Sequence, residues 1–596
     1  MKTGAIRQRT SNVIGVASLF CDNSFNAVVF GGMHRAARAR GYQLLVHYGS
    51  PRSVAERRLG LHQFAGWIAM YTTDGLEELL SGGKPAVIFC APALGERCPI
   101  VRAENRDSIH RLVQHLVGLG HCRIAFIGKR SSDDFVERSR AFEEALSAGG
   151  LETDLNRLSC FDGCSIVYTE QRLGELLDRD GKFCDAIVAG NDEMAIGAIH
   201  AIQARGYRVP EDIAVVGFDD ISIAQHCDPP LTTMRQNAEL LGKKAVELLI
   251  GLLDGLPPPP PVTRVPAELV VRRSCGSASW DAGPLARALA APGGDWQRDL
   301  STRLSSVLAL GAPSLSGEAP LAWPEVEVIA QGLGAALTGA ELPELAALER
   351  AFAAAVARND RIEALLAVVS QVEATAARQL AGEPEPDAAG RMETFLGRVR
   401  LAQQRALAAS ERRGVTSLER LVRANMDMTG LLASKQIWND DRLGWLRHTT
   451  VRVGCLALWA DDRGPAASEL LIDSVHTRDP ALAALVGRRC DAALFPPLEL
   501  MEAASPDELG GHLMMVPIAN ARRDWGTLVL GGLYTESFTD NLQPLAMWVS
   551  LLVAALEHHD MEAALHAERD MLAAAYERER ALSSTVRELG CPVIPL

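Results

Sequence analysis

Residues 12 to 275 alternate short apolar runs with amphipathic segments, and no other feature constrains the fold as strongly. "NVIGVAS", "QLLVHYG", "GWIAMY", "PAVIFCA", "RIAFIG", "DAIVAG" and "IAVVGFDD" read as buried strands. "AVVFGGMHRAARARGY", "DSIHRLVQHLVGLGH", "RSRAFEEALSAGG" and "DEMAIGAIHAIQARGY" read as helices between them. Strands alternating with helices of about ten to fifteen residues mean βαβ units and parallel sheet. The length suits two such sheets facing each other across a cleft. The five prolines 257–261 read as a surface loop inside this domain, because a further strand, "AELVVRR", follows them.

The chain has 596 residues, more than one core usually serves. The expected organisation is multidomain α/β: a tail over 1–11, a two-lobed domain over 12–275, a helical connector over 276–415, an α+β domain over 416–559, a coiled-coil signalling helix over 560–590, and the start of another domain over 591–596. In the connector, "ELPELAALERAFAAAVA" and "RIEALLAVVSQVEATAARQLA" have helical period, and "GEPEPDAAG" breaks it. Thr416 and Glu419 have capping-box spacing, so a helix is expected to open there. "VRVGCLALWA", "ELLIDSV", "HLMMVPIAN" and "WGTLVLGG" read as antiparallel strands closed by the helix "LQPLAMWVSLLVAALEHH". Cys455 and Trp459, on one strand, read as core. From Met561, a 4-3-4-3 spacing runs through Leu565, Glu568, Leu572, Ala575, Glu579, Leu582, Val586 and Leu589, the seam of a short parallel coiled coil.

Ligands of open α/β sheets sit at the carboxyl ends of strands. Asn191 and Asp192 follow "DAIVAG", and Phe218, Asp219 and Asp220 follow "IAVVG". Asn23 to Phe25 are placed on the loop after the first strand, Glu104 and Asn105 after "CPIVRA", and Arg138 at the opening of the helix after "RIAFIG". Carboxylates accept paired hydrogen bonds from hydroxyls, amides donate and accept, and aromatic faces stack on apolar ring faces. Structural roles compete with recognition: Asp192 is expected to cap its helix, and Asp220 to satisfy its own loop.

The stretches "DAIVAGNDEMAIGAIHAIQARGYRVPEDIAVVGFDDI" and "PPLTTMRQ", with "LVGLGHCRIAFIG" and "DNSFNAVVFGGMHRAARARGYQLLV" before them, resemble the periplasmic-binding-protein-like effector domain of lac/gal-type repressors. By that resemblance Asp219, Asn191 and Arg138 match ligand-contacting positions, Phe25 an aromatic cleft position, and Asn105 lies near another contact; Phe218 adds an aromatic face. The chain departs from the pattern in "NSFN", where proline and two aromatics are usual, and in the aspartate missing before "GWIAMY". Those repressors carry a helix-turn-helix ahead of this core; with only a dozen residues ahead of the first strand, none is expected here. "MMVPIANARRDWGTLVLGG" resembles the late hairpin of GAF-type sensor domains. "ELGCPVIPL" resembles the entry into a stressosome-type STAS domain.

Net charge is −14, and no basic patch stands out, so direct nucleic-acid binding is not expected. The 12 cysteines are scattered, without CxxC, as in a reducing cytoplasm. No metal or cofactor is expected. The N-terminal apolar run is short and lacks a cleavage site, and no run of about 18 apolar residues is present, so neither export nor a membrane span is expected. P-loop, GxSxG, HExxH and kinase patterns are absent, so the chain is not expected to be an enzyme. The expectation is a cytoplasmic sensor, a homodimer, that binds a sugar or nucleoside-like molecule and signals to a STAS-type output, or to stressosome-type or anti-sigma partners. The alternative is a lac/gal-type regulator of transcription acting through a partner.

Overall fold

The computed structural model describes residues 12–21, 24–80, 83–94, 98–129, 133–151, 158–161, 163–257, 259–276, 340–357, 388–433, 442–449, 451–461, 463–503, 513–532 and 544–588, with a few helical residues between 328 and 336. The chain divides into two compact units. One holds most of the chain up to Glu419; the other holds Arg420–Leu596 with the short segments 45–49 and 53–63.

The chain opens with β1 (Val13–Ser18), α1 (Ser24–Ala39), β2 (Gln43–Tyr48), α2 (Pro51–Arg57), β3 (Phe64–Met70), α3 (Leu76–Leu80), β4 (Ala86–Phe89) and β5 (Ile100–Ala103). It continues through α4 (Asn105–Gly118), β6 (Ile124–Lys129), α5 (Asp133–Ala148), β7 (Leu158–Phe161), α6 (Ile166–Asp180), β8 (Ala186–Ala189), α7 (Asp192–Gln203) and β9 (Ala214–Asp219). Then come β10 (Thr232–Gln236), α8 (Ala238–Leu253), β11 (Val262–Val265) and β12 (Ala267–Val270).

Two sheets form. In the first lobe β1 pairs β3, β3 pairs β4, β4 pairs β5 and β5 pairs β11, all parallel. The second lobe has the order β12-β10-β9-β8-β6-β7, parallel except for the β10–β12 pair. All six residues of β1 and all four of β4 and β8 are buried, as parallel sheets covered on both faces require. Two apolar clusters cover the second sheet. Ile196, Ile199 and Ile202 of α7 pack on one; Ile109, Leu112, Phe126 and Phe142 anchor the other.

The chain crosses between lobes three times: from β5 into α4, from β10 into α8, and from β11 into β12. Helix α8 returns to the first lobe and lies against α1 with backbones almost touching. A Cβ on Gly32 would stand 2.2 Å from the Glu239 carbonyl, and one on Gly242 would stand 2.1 Å from that of Val29. Glycine at both positions is a packing requirement.

The strand and helix expectations for 12–275 hold, with local corrections. Helix α1 begins at Ser24, so Phe25 lies in its first turn rather than on a loop. Helix α5 begins at Asp133, so Arg138 lies in its second turn rather than at its opening. Beyond this domain, α9 (Leu345–Ala357) matches the first connector helix. The second, over 361–381, lies outside the described residues. α10 runs unbroken over Ala388–Ala433. The helix expected to open at Thr416 is therefore the interior of a longer one; a capping-box pattern also fits mid-helix residues when periodicity continues on both sides.

In the second unit, β13 (Val453–Trp459), β14 (Glu469–His476), α11 (Pro480–Ala483), β15 (Arg489–Asp491), α12 (Leu498–Ala503), β16 (Leu513–Ala519), β17 (Asp524–Gly531) and α13 (Pro544–Glu588) follow one another. The sheet β16-β17-β13-β14-β15 is antiparallel throughout. Cys455 and Trp459 are buried core, as expected. Leu545, Trp548, Leu552 and Leu556 bury one face of α13, whereas Met561, Leu565 and Leu572 further along it are each at least 60% exposed. Residues 1–11 and 591–596 lie outside the described residues, as does Leu589 of the seam.

Candidate functional site

A cavity of about 400 Å³ opens between the lobes. Tyr71, Thr72, Thr73 and Asp74, just after β3, line it with Cys90, just after β4, and Asp133 at the start of α5. This is the carboxyl-end location that parallel sheets reserve for ligands.

The first lobe contributes aromatic shape on a constrained backbone. Tyr71 and Cys90 take left-handed backbone angles, φ 65° and 47°, a conformation that costs a non-glycine residue about 1 kcal/mol or more. The Tyr71 hydroxyl donates to Asn26 Oδ1, and Asn26 Nδ2 donates to the Phe20 carbonyl at 2.8 Å. The Phe20 ring meets Tyr71 edge-on at 5.5 Å, and Lys129 Nζ stands 6.0 Å from the Phe20 ring centre. Burial, then the nearby Cys90, Asp134 and Asp219, raises the Tyr71 phenol well above its usual range, so it remains a neutral donor.

The second lobe contributes charge. Arg138 is buried, 4% exposed. Its Nε donates to Asn105 Oδ1 at 2.8 Å and Nη1 to the Gly190 carbonyl at 2.6 Å. Its guanidinium lies 3.6 Å from the Phe218 ring centre and Nη1 lies 3.8 Å from Asp219 Oδ1. Asp219 ends β9 with φ 120° and accepts from Gln236 Nε2 at 2.5 Å. Burial pushes its carboxyl up to about 6, against the lowering effect of Arg138 and Gln236.

The neighbours of Asp219 are structural. Asp220, φ 59°, holds Arg235 Nε at 2.6 Å and Arg272 Nη1 at 2.7 Å. Burial pushes it up, but the two guanidiniums, Arg272 first, bring it below the usual range. Asp192, fully buried, accepts from the Ile221 amide at 2.9 Å and from Thr233 Oγ1 at 2.5 Å. Burial first, then the Asp219 and Asp220 charges, raises it to about 8.

The expected site residues divide accordingly. Asp219 and Arg138 come together. Asn191, expected as a ligand contact, caps α7 by accepting from the Met194 amide at 2.9 Å. The cap expected at Asp192 is corrected by that same bond: the capping oxygen belongs one residue earlier, and Asp192 reaches across to β10. Asn105 and Phe218 are 0% exposed; one hydrogen-bonds Arg138 and the other carries its guanidinium face. Phe25 is half-buried in α1, and none of Asp219, Asn191, Arg138, Phe25, Asn105 and Phe218 is among the residues that line the cavity. Tyr71, Cys90, Asp133 and Gln236 were not anticipated. The carboxyl-end rule, applied to "GWIAMY" and "PAVIFCA", finds the first two. Among the described residues no His, Cys, Asp and Glu cluster has metal-binding form, and no helix is long and apolar enough to cross a membrane.

Two lobes, three crossings and a polar cleft define a periplasmic-binding-protein-like ligand-binding domain, and the family model described as "Periplasmic binding protein-like domain" matches residues 113–275. The regulator CelR of Thermobifida fusca is 31% identical over 287 residues, 45% of this chain and 82% of CelR. MalR of Streptomyces coelicolor is 30% identical over 298 residues, 47% of this chain and 85% of MalR. GalR of Escherichia coli is 28% identical over 279 residues, 45% of this chain and 80% of GalR. All three are named as HTH-type transcriptional regulators. A solved structure titled as a CelR–cellobiose complex is 30% identical and covers 45% of this chain and 85% of that one, with a TM-score of 0.41. Through this domain the chain belongs to the lac/gal-type (LacI/GalR) regulator family; less than half of its length is matched.

Proposed function

We propose that this chain is a cytoplasmic signal-transduction sensor. It binds a small polar molecule, a sugar or nucleoside-like compound, between the lobes. The carrying observation is Asp219, at the end of β9, beside Arg138 of α5 and near enough to the cavity-lining Tyr71 for its charge to raise the phenol. Asp219 accepts ligand hydroxyl donors, Arg138 donates to ligand oxygens, and Tyr71 offers a face and a hydroxyl edge. Occupancy shifts the balance between open and closed lobes by the ligand's difference in affinity for the two. The change passes through the GAF-like domain and the exposed seam of α13, paired in a homodimeric coiled coil, to a STAS-type output or partner. The regulators to which the chain is similar favour a second reading, control of transcription through a partner protein.

The test is a thermal-shift screen of the full chain against saccharides, cellobiose among them, sugar phosphates, nucleosides and purines, repeated with Asp219→Ala. A ligand at 100 times its dissociation constant stabilises the domain it binds by about 2.7 kcal/mol. Stabilisation by one chemical class, lost in the variant, is the expected outcome. Equal stabilisation of both proteins would refute the assignment of Asp219.

A further inference from the structure

The two hinge strands place two arginines side by side. In the parallel pair β5–β11, Arg102 and Arg264 are register partners, and like charges in that relation repel. The counter-charge comes from the other lobe. Glu137 on α5 accepts from Arg264 Nη1, Oε1 to Nη1 2.8 Å, and lies 3.5 Å from Arg102 Nη1 through Oε2. Its Oε2 also accepts from Asn105 Nδ2 at 2.9 Å. Asn105 turns its other face to Arg138, the residue beside Asp219. A continuous line of polar contacts thus runs from the hinge arginines through Glu137 and Asn105 to the cleft.

The other anions near the arginines are weaker partners. Asp133 Oδ2 stands 4.0 Å from Arg102, and Glu104 Oε2 stands 3.7 Å from Arg264. Arg102 is further tied to its own lobe by a 2.9 Å bond to the Ala91 carbonyl. The Glu137 side chain is 22% exposed and that of Arg102 12%, so their attraction is only partly screened. Without Glu137 the two guanidiniums would face each other across the β5–β11 register with only the weaker anions beside them.

We propose that Glu137 is a positioning residue, a latch that holds the second lobe on the hinge-strand arginines and, through Asn105, holds Arg138 in place for the ligand. The ligand arm of this proposal rests on the cleft reading above; the latch itself does not.

The experiment uses the full chain with spin-labelled amino acids introduced by codon suppression at exposed Glu77 in the first lobe and exposed Gln171 in the second. Pulsed electron-spin distance measurement is made without ligand, then with cellobiose. Glu137→Gln, nearly isosteric, is expected to lengthen and broaden the separation. Arg264→Gln should do the same, and the double variant should do no more than either alone. The exchange Glu137→Arg with Arg264→Glu should restore a narrow distribution, which a merely structural disturbance would not. One molar salt should move the parent toward the variant. If Glu137→Gln fails to fold, Arg264→Gln at its more exposed partner carries the test. A parent distribution retained by Glu137→Gln, or by Arg264→Gln in that case, overturns the latch. Where cellobiose binds, Glu137→Gln should weaken it at least threefold. Absence of binding by the parent to any saccharide counts against the ligand reading, while the distances still decide the latch.

Discussion

The two faces of the cleft are built differently. The second lobe presents a charged centre fixed from several directions: Arg138 is held by Asn105, Gly190 and the Phe218 ring, and Asp219 by Gln236. The first lobe presents aromatic and small polar groups held by strained backbone at Tyr71 and Cys90. On one side a buried guanidinium and carboxylate are fixed by several neighbours; on the other, Tyr71 and Cys90 lie beside Asp74, whose charge Arg52 compensates. Such a division lets ligand chemistry be read before closure and ligand size at closure.

The most disruptive challenge to this contrast is Arg138→Ala. It leaves the half-buried Asp219 carboxyl with Gln236 alone and deprives the Asn105 and Gly190 oxygens of their donor. Breaking a buried pair in this way costs about 3 to 5 kcal/mol, so the melting transition of this domain should fall steeply and ligand stabilisation should vanish. A variant that melts like the parent would show that the second lobe does not depend on its charged centre.

Asp192→Asn probes the charge load beneath that centre. The ordinary carboxyl value is 3.8 and the folded one about 8. Between them the unfolded chain releases a proton that the folded chain keeps. This group therefore costs stability as pH rises from about 4 to about 8, at most about 1.4 kcal/mol per pH unit. Asparagine removes the titration and can still accept from Ile221. The variant's melting temperature should fall less steeply with pH than the parent's over that window; parallel curves would place the neutral carboxyl elsewhere.

Tyr71→Phe is the mildest change and sharpens the view of the first lobe. It removes the hydroxyl donated to Asn26 and leaves the ring. The expected loss is about 1 kcal/mol, equivalent to about fivefold in affinity if the ligand also uses the hydroxyl, read by thermal shift and titration. An unchanged affinity would leave the wall acting through shape alone.

The domain's architecture was legible because parallel-sheet strands are uniformly apolar and their helices amphipathic. "VTRV", which forms β11, carries no strand signal: it is short, follows prolines, and only Val265 in it is buried. The position of Asp219 at a strand end was legible; that of Arg138, one turn further into α5 than expected, was not. The division of labour between Asn191 and Asp192 was not, because adjacent amide and carboxyl side chains are equally good caps and only the approach of Thr233 and Ile221 separates them. Glu137 carried no local signal at all. Its meaning depends on Arg102 and Arg264, which become neighbours only when β5 and β11 pair. The capping-box expectation at Thr416 failed for a related reason, since local spacing does not report whether a helix is already under way.

The most direct measurement is calorimetric titration of the full chain with the screened saccharides and nucleosides at pH 5 and pH 7.5, for the parent and for Asp219→Asn. A ligand whose hydroxyls donate to Asp219 binds its ionised form, and burial places that ionisation near pH 6. The account predicts tighter binding at pH 7.5 than at pH 5 in the parent, and weak, pH-independent binding in the variant. Equal affinity in both proteins at both pH values would contradict it.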